Sequence, residues 1–375
     1  MKFRIAALCP IVALAISFPL MAEDGHGPKL IPFDAPDAAT TSSTLCAPDC
    51  GTIALANNAE GAVVGYYTDP NIVPHGFLRT PNGKIHPFDA PGAGLGANLN
   101  QGTVAYSIND WGLIAGEFED SSNVFHGFVR FPDGSFSVID VPGAGTTAGL
   151  GTQAVDVNVE GATAGDYFDS TGGEHGFVRS SYGDITTFDA PGSTGTGVCF
   201  ETCLNAEGTI TGSFSDSNSN YHGFVRDRDG TITVFHAPGA GKGAFQGTFS
   251  GSINLEGTTT GYFADTSGAL HGFVRTRDGH LTEFEVPSTP HRSVEATGPF
   301  SINLFGVVTG EFVDANGVMH GFSRLPCGSL ATFDAPGAGT GAGQGTRPST
   351  NNLEGAVTGW FIDANNLNHG FVWNP

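Results

Sequence analysis

The chain contains 375 residues, with 37 acidic and 15 basic side chains and a formal net charge of −22. A surface this negative repels phosphate backbones and anionic lipids, which excludes nucleic acid and membrane surfaces as favoured partners. The 56 Gly and 22 Pro, without sustained i, i+3, i+4 apolar spacing, exclude a helical protein and indicate an all-β domain.

The first 22 residues have the pattern of an export signal. Lys2 and Arg4 precede an uncharged apolar run over residues 5–20, and the small Ala22 stands before Glu23. We therefore expect cleavage after Ala22, a secreted or periplasmic product, and no membrane-inserted segment in the remaining chain. An uncleaved N-terminal anchor is the alternative interpretation.

A unit of about 49 residues is repeated seven times along the rest of the chain. Each copy carries the tripeptide His-Gly-Phe, and the copies are spaced by 47 to 51 residues. The repeated histidines are His75, His126, His175, His222, His271, His320 and His369. Each copy also has an Asn-x-x-Gly turn before the tripeptide and a Phe-Asp-Ala-Pro element, or a variant of it, after the tripeptide. Repeats of this length indicate a solenoid or a propeller.

Each unit is predicted to form four antiparallel strands. In the third unit they cover residues 154–157, 162–168, 175–179 and 185–190. Gly-containing pairs before the fourth strand, such as Tyr182-Gly183 here, predict two-residue hairpin turns. This register places Phe177 opposite Phe188 as a cross-strand aromatic pair. A Gly-rich link then leads to the next unit, as the passage from an outer to an inner propeller strand requires.

The two ends of the chain decide between a closed ring and an open stack. The last unit stops after the tripeptide at His369 and lacks a fourth strand, while residues 30–36 have the sequence of such a strand. An open stack would need capping units at its ends. We therefore predict one domain over residues 23–375, a seven-bladed β-propeller of four-stranded antiparallel blades. Its N-terminal strand should complete the last blade and close the ring.

The repeat resembles the HAF-type extracellular repeat family of bacteria. The resemblance rests on Ser107-Ile108-Asn109-x-x-Gly112-x-x-x-Gly116, followed by His126-Gly127-Phe128-Val129 and a Gly-punctuated link. It covers nearly the whole chain after residue 22. The family tripeptide is His-Ala-Phe, whereas the middle residue here is Gly in all seven copies, a departure that we expect to be sterically mild. The resemblance implies an exported repeat protein and supplies no catalytic residues.

An aspartate stands six residues before each repeated histidine. These are Asp69, Asp120, Asp169, Asp216, Asp265, Asp314 and Asp363. Asp–His pairs can form metal or acid–base sites, but a pair present in every unit is better explained as a structural device that fixes the imidazole tautomer. The loops that begin at these aspartates should share one end of the ring with the Gly-rich links. We predict that this end binds the ligand.

The same loops are rich in Asn, Ser and Asp, which offer the oxygen ligands that Ca²⁺ accepts. The candidate calcium ligands are Asp216 with Asn218, and Asp314 with Asn316. The distal Glu of a complete calcium loop is missing, and these residues are also ordinary loop formers. Loop formation is therefore the leading interpretation, and calcium is the one cofactor that the sequence suggests.

One residue per unit, two before each repeated Asn, should face the ring axis. These residues are Ala56, Ser107, Asp156, Cys203, Ser252, Ser301 and Thr350. Their small size suits either a narrow wet channel or, as we prefer, a crowded axis. Three departures from the repeat are further candidates for ligand binding: Asp156 in this ring, the nearby Glu201, and His236 in place of the repeated Asp. Drift among repeats explains these departures equally well.

The cysteines bear on the compartment more than on chemistry. Two Cys-x3-Cys pairs in an exported chain predict the local disulfides Cys46–Cys50 and Cys199–Cys203. An extended strand holds such residues too far apart for a bridge, so the chain must bend at both places. We expect Cys327 to be a free thiol.

Signatures of zinc proteases, serine hydrolases and P-loop enzymes do not occur in the sequence. We therefore predict an exported, monomeric, non-enzymatic scaffold that binds an extracellular carbohydrate or protein, with no catalytic residues. The alternative is a polysaccharide lyase or hydrolase with its site at the mouth of the channel, and a third hypothesis is a structural role in an envelope or matrix. An enzyme should bring together a few unlike groups with shifted pKa values, whereas a scaffold should show repeated, equivalent groups.

Overall fold

The computed structural model describes residues 29–42, 49–97, 101–199, 202–287 and 294–374. The predicted signal peptide, Cys46 and Glu201 lie outside these residues, so the cleavage site and the Cys46–Cys50 disulfide stay predictions. The described residues form 28 strands and no helix, which confirms the all-β prediction. In this part of the chain, no helix is therefore long and apolar enough to cross a membrane.

The strands form four-stranded antiparallel sheets, which we number 1 to 7 in chain order. The first strands are β2 (Gly51–Asn57), β6 (Gly102–Ile108), β10 (Gly151–Val157), β14 (Gly195–Val198), β18 (Gly247–Ile253), β22 (Val294–Ile302) and β26 (Gly345–Asn351). The second strands are β3 (Val63–Thr68), β7 (Ile114–Glu119), β11 (Thr163–Phe168), β15 (Ile210–Ser215), β19 (Thr259–Ala264), β23 (Val308–Asp314) and β27 (Val357–Ile362). The third strands are β4 (Pro74–Arg79), β8 (Phe125–Arg130), β12 (Glu174–Arg179), β16 (Tyr221–Arg226), β20 (Leu270–Arg275), β24 (Met319–Arg324) and β28 (Asn368–Asn374). The fourth strands are β5 (Ile85–Phe88), β9 (Phe136–Ile139), β13 (Ile185–Phe188), β17 (Ile232–Phe235), β21 (Leu281–Phe284), β25 (Leu330–Phe333) and β1 (Lys29–Phe33).

The register of the outer hairpin differs from the prediction by one residue. Phe188 pairs with Gly176 and not with Phe177, so the predicted aromatic pair is wrong. The reason is the turn, which has three residues: Ser180 N–H donates to Asp184 O (2.8 Å), and Gly183 N–H donates to Ser180 O (2.9 Å). Gly183 has a φ of +102°, as the last residue of a type I turn with a G1 bulge requires.

The core consists of seams between neighbouring sheets. The tripeptide phenylalanines Phe77, Phe128, Phe177, Phe224, Phe273, Phe322 and Phe371 are fully buried. At the seam between sheets 3 and 4, Phe224 meets Phe188 edge to face with ring centroids 6.0 Å apart, and the Arg226 guanidinium lies 4.8 Å above the Phe188 ring. This arrangement recurs at other seams, where Arg79, Arg130, Arg275 and Arg324 also pack on aromatic rings.

The N-terminal strand β1 takes the fourth-strand position of sheet 7. It pairs antiparallel with β28, from Lys29 with Asn374 to Phe33 with Gly370. Sheet 7 in turn meets sheet 1, where Gly51 pairs in parallel with Asn368. The same parallel contact joins sheets 2 and 3, through Gly151 and Phe125.

The Gly-rich links and the loops between second and third strands lie at one end of the sheets, called the loop end below. Gly145 N–H, in a link, donates to Phe168 O at the end of β11 over 2.7 Å. Gly241 and Ala264 make the equivalent bond over 2.8 Å. This placement of links beside loops is the one that the repeat predicted.

Candidate functional site

The seven Asp–His pairs form a repeated network of close polar contacts at the loop end. In each pair the Asp Oδ2 lies 3.2 to 3.8 Å from the His Nε2. The other oxygen closes the loop: Asp169 Oδ1 accepts the backbone N–H groups of Thr171 (2.7 Å) and Gly173 (2.9 Å). The imidazole also packs against an aromatic ring of the second strand, with centroids 4.9 to 5.2 Å apart. This geometry supports the structural interpretation of the pairs.

A second acidic partner of these histidines was missed by the sequence reasoning. In six of the seven histidines, a carboxylate oxygen lies 2.5 to 2.9 Å from the imidazole Nδ1. These partners are Asp89, Asp140, Asp189, Glu285, Asp334 and Asp34. The hydrogen bond to Asp89 raises the pKa of His75, although burial of the ring opposes it. The sequence does carry a signal for this second partner. The acidic residue of the Phe-Asp-Ala-Pro element, or of its variant, stands fourteen residues after the histidine in five of the six cases.

The geometry gives no support to the calcium prediction. Asp216 Oδ1 accepts the backbone N–H groups of Asn218 (2.8 Å) and Asn220 (3.1 Å), and Oδ2 faces His222 Nε2 at 3.2 Å. The carboxylate of Asp314 is bonded in the same way, by the N–H groups of Asn316 and Val318. Both carboxylates therefore face N–H donors where a cation would need further oxygen atoms. Over the described ranges, no group of three or more His, Cys, Asp or Glu side chains is placed to hold a metal.

The residues predicted to face the axis are all buried, at most 6% exposed, which supports the crowded-axis interpretation. Asp156 Oδ1 accepts hydrogen bonds from Ser107 Oγ (2.6 Å) and Val157 N–H (2.8 Å), and Oδ2 accepts one from Leu204 N–H (2.9 Å). Burial raises the Asp156 pKa to about 6, against the effect of these hydrogen bonds. Asp156 thus joins sheets 2, 3 and 4.

Sheet 4 departs from the repeat and opens a cleft. Its first strand β14 has only four residues, and the predicted disulfide Cys199–Cys203 follows it, with Cα atoms 5.5 Å apart. The cleft beside this strand has a volume of about 410 Å³ and lies at the loop end, where Ser215 and Tyr221 flank the Asp216 loop.

Aromatic side chains form one wall of this cleft. The rings of Tyr221 and Phe249 have centroids 4.4 Å apart, and the Phe249 and Tyr262 rings stack at 4.9 Å with planes 18° apart. Pro299 and Phe300 extend the apolar lining. Phe249 is therefore stacked between the two tyrosines, and the three rings form an aromatic column against which the apolar part of a ligand can pack.

Polar side chains complete the lining. Glu174, Ser213, Ser215 and Ser250 all reach the cleft. Burial raises the pKa of the Glu174 carboxyl, against the effect of the neighbouring His175. Two glycines leave room beside this carboxyl, since a Cβ at Gly197 would lie 3.2 Å from Glu174 Oε1.

A second acid lies in the same region of the molecule. Asp166 is 1% exposed, and its Oδ1 accepts the backbone N–H of Val198 over 2.6 Å. Burial raises the Asp166 pKa, the Val198 hydrogen bond opposes this shift, and the charges of Glu174 and Glu117 add to it.

The sequence analysis did not identify the cleft residues. Two of them, Ser213 and Tyr262, occupy the position after the second-strand glycine. Across the units this position holds Tyr66, Glu117, Asp166, Ser213, Tyr262, Glu311 and Trp360. Comparison of this position across the repeats would have shown that unlike residues replace one another there, within an otherwise regular repeat.

No family model matches the chain, and no curated protein matches it, so the HAF-type resemblance stays a prediction. Among solved structures, a streptogramin B lyase is similar with a TM-score of 0.55 and 16% identity, over 92% of this chain and 97% of that one. The BP39L lectin from Burkholderia pseudomallei has a TM-score of 0.53 and 12% identity, over 86% and 98%. A puromycin hydrolase has a TM-score of 0.51 and 13% identity, over 87% of this chain and 53% of that one. At such identities the likeness concerns the fold, and together with the four-stranded sheets it shows that this chain is a β-propeller.

Proposed function

We propose that the chain is an exported, seven-bladed, closed β-propeller that binds a carbohydrate in the cleft lined by sheets 3, 4, 5 and 6. Ring closure is supported by the pairing of β1 with β28 and by the contact of Gly51 with Asn368. Export is supported by the signal-like N-terminus and by the Cys199–Cys203 disulfide, which suits an oxidising compartment.

The observation that carries the binding proposal is the aromatic wall beside a carboxyl group and three serines. The C–H face of a sugar ring packs against aromatic side chains such as Phe249 and Tyr262, while its hydroxyl groups bond to Glu174 and to the serine hydroxyls. An apolar wall with a few well-placed polar groups is the usual composition of a small-molecule site, and about 410 Å³ lies within the usual range. One of the similar structures is a lectin, which agrees with this proposal.

Charge narrows the class of sugar. The chain carries a net charge of −22, and Glu174 lines the cleft with Asp166 nearby. A uronic acid would bring a further carboxylate beside these two, so neutral and amino sugars are the favoured ligands.

Binding is tested by calorimetric titration of the protein with neutral, amino and acidic oligosaccharides. Phe249→Ala should weaken binding of the responding sugar about tenfold or more, because the central ring of the aromatic wall is lost. Tyr182→Ala is the matched control, since Tyr182 is 95% exposed in a turn at the other end of sheet 3. Melting curves must show that both variants are folded. Equal affinity in wild type and Phe249→Ala, or no sugar response at all, would refute the proposal.

A second candidate function is a lyase or hydrolase acting on the same sugar. It is favoured by the raised pKa values of Glu174 and Asp166, since acids with raised pKa values are typical of proton-transfer sites. The variant Glu174→Gln distinguishes an enzyme from a binding protein, when turnover and affinity for the sugar are both measured. An enzyme would turn over the bound sugar and lose that turnover in the variant, whereas a binding protein would show no turnover and only weaker binding.

A further inference from the structure

Sheet 4 is the place where the repeated histidine network changes its chemistry. His236 occupies the position of the repeated carboxylate, and its Nδ1 lies 3.1 Å from His222 Nδ1. The two rings meet edge to face, with planes 84° apart. In the other six sheets the same nitrogen faces a carboxylate instead.

The opposite side of His222 determines where its proton sits. Asp216 Oδ2 lies 3.2 Å from His222 Nε2. The backbone N–H groups of Asn218 and Asn220 donate to Asp216 Oδ1, so Oδ2 is the oxygen that faces His222 and accepts its Nε2 proton. In the neutral imidazole the lone pair is then on Nδ1, directed towards His236.

We propose that His222 and His236 form a site for a divalent transition metal ion such as Cu²⁺, Ni²⁺ or Zn²⁺, with the two Nδ1 atoms as ligands. Imidazole nitrogen is a preferred ligand of these ions. In the metal-free protein His236 donates its Nδ1 proton to His222. On binding, the His236 proton exchanges through solvent to Nε2, so both imidazoles stay neutral and both lone pairs face the ion.

The distance between the two nitrogens fits this role. Two imidazole ligands at metal–nitrogen distances of about 2.0–2.1 Å and a ligand–metal–ligand angle near 90–110° lie about 2.9–3.4 Å apart. The observed separation of 3.1 Å lies within this range, so metal binding requires the rings to turn towards the ion but does not require the two nitrogens to change their spacing. Asp216 acts as the outer carboxylate that orients a metal-bound histidine.

The surroundings limit the affinity. His236 is exposed, so water completes the coordination sphere. The positive charge of Lys242 acts at His236 and opposes the binding of a cation there. With two protein ligands and a nearby cation, we expect micromolar binding. The six other repeated histidines act as an internal contrast, because each has a carboxylate at Nδ1 where the pair in sheet 4 has a second imidazole.

The test uses the full chain without a histidine tag. Calorimetry with Cu²⁺ should show one equivalent bound in the micromolar range, and the electron paramagnetic resonance spectrum should show coupling to two imidazole nitrogens. His236→Asp restores the carboxylate of the other repeats and should reduce affinity at least thirtyfold with an unchanged melting temperature. Asp189→His builds the equivalent pair with His175 in sheet 3 and should add a second equivalent.

Two results would overturn the inference. One is no binding by the wild-type chain at millimolar Cu²⁺, which would leave His222 and His236 as a hydrogen-bonded pair only. The other is one equivalent bound by His236→Asp with wild-type affinity, which would place the ion elsewhere. Neither result depends on sugar binding in the cleft.

Discussion

The Nδ2 of Asn352 donates a hydrogen bond to the carbonyl oxygen of Asn58 over 2.8 Å, although 294 residues separate the two asparagines. The same bond joins each repeated asparagine to the next one along the chain, at 2.8 to 3.1 Å. Each asparagine also closes its own turn, as Asn158 Oδ1 does by accepting the N–H of Ala162 over 3.0 Å. The repeated asparagine is therefore an inter-sheet link, and its last copy bonds sheet 7 to sheet 1.

Replacing Asn352 tests whether the ring is closed in solution. Asn352→Ala removes one of the two donors to the Asn58 carbonyl, which keeps the Gly61 N–H, and takes away the side-chain acceptor of the Ala356 N–H. We expect a loss of about 1–3 kcal/mol in the free energy of unfolding. Asn158→Ala, inside the chain, is the matched control and should cost the same. The free energies are obtained from urea denaturation. A neutral Asn352→Ala beside a costly Asn158→Ala would show that the ends do not meet.

The N-terminal strand should be integral to the fold. The Phe33 ring covers Gly370, meets Phe77 with centroids 6.0 Å apart, and lies 4.8 Å from the Arg79 guanidinium. Phe33→Ala should therefore destabilise the protein by about 2–4 kcal/mol, as much as Phe188→Ala at the same position of sheet 3. Deletion of residues 30–36 should lower the melting temperature further still. A truncated chain that melts like the full chain would contradict the role of β1.

The glycine of the tripeptide is required by the outer strand. A Cβ at Gly176 would lie 2.5 Å from the Phe188 ring, so Gly176→Ala should cost about 1–3 kcal/mol, measured by denaturation. In sheet 2 the outer-strand residue opposite Gly127 is Ile139, and the nearest atom to a Cβ would be that of Ala154 at 3.1 Å. Gly127→Ala is therefore expected to cost less, and equal costs would argue against the ring contact. The expectation that His-Gly-Phe is a mild departure from His-Ala-Phe was wrong for this reason.

Local patterns predicted the strands and the Cys199–Cys203 disulfide, because these depend on side-chain alternation and short spacing. The Phe188 register failed, because an Asp-Gly or Tyr-Gly pair does not by itself distinguish a two-residue turn from a three-residue turn with a bulge. The cleft could not be predicted, because Glu174 and Phe249 come together only through the packing of sheets 3, 4 and 5. The candidates drawn from departures in the repeat were Asp156, Glu201 and His236. They did not include β14, which has only four residues and lines the cleft.

Glu117 should make the protein less stable as the pH rises. It is 7% exposed, its Oε1 accepts the Tyr106 hydroxyl over 2.7 Å, and burial raises its pKa to about 7 against this hydrogen bond. The folded pKa exceeds the ordinary value of 4.5, so the folded state binds more protons between pH 4.5 and 7. Stability from this group is therefore complete below pH 4.5 and is lost as the pH rises through 7.

Glu117→Gln removes this charge and keeps an acceptor for Tyr106. We expect the variant to exceed the wild type in unfolding free energy at pH 8, by an amount on the order of 1–3 kcal/mol, and to match it near pH 4.5. Hydrogen bonds to Asp89 and Asp34 raise the pKa values of His75 and His369, so both histidines also make the folded protein less stable as the pH rises. This contribution is the same in the wild type and the variant, so the difference between the two curves isolates Glu117. The exposed Glu60→Gln is the control and should follow the wild-type curve. Parallel curves for Glu117→Gln and wild type would mean that Glu117 is ionised in the folded protein at no cost.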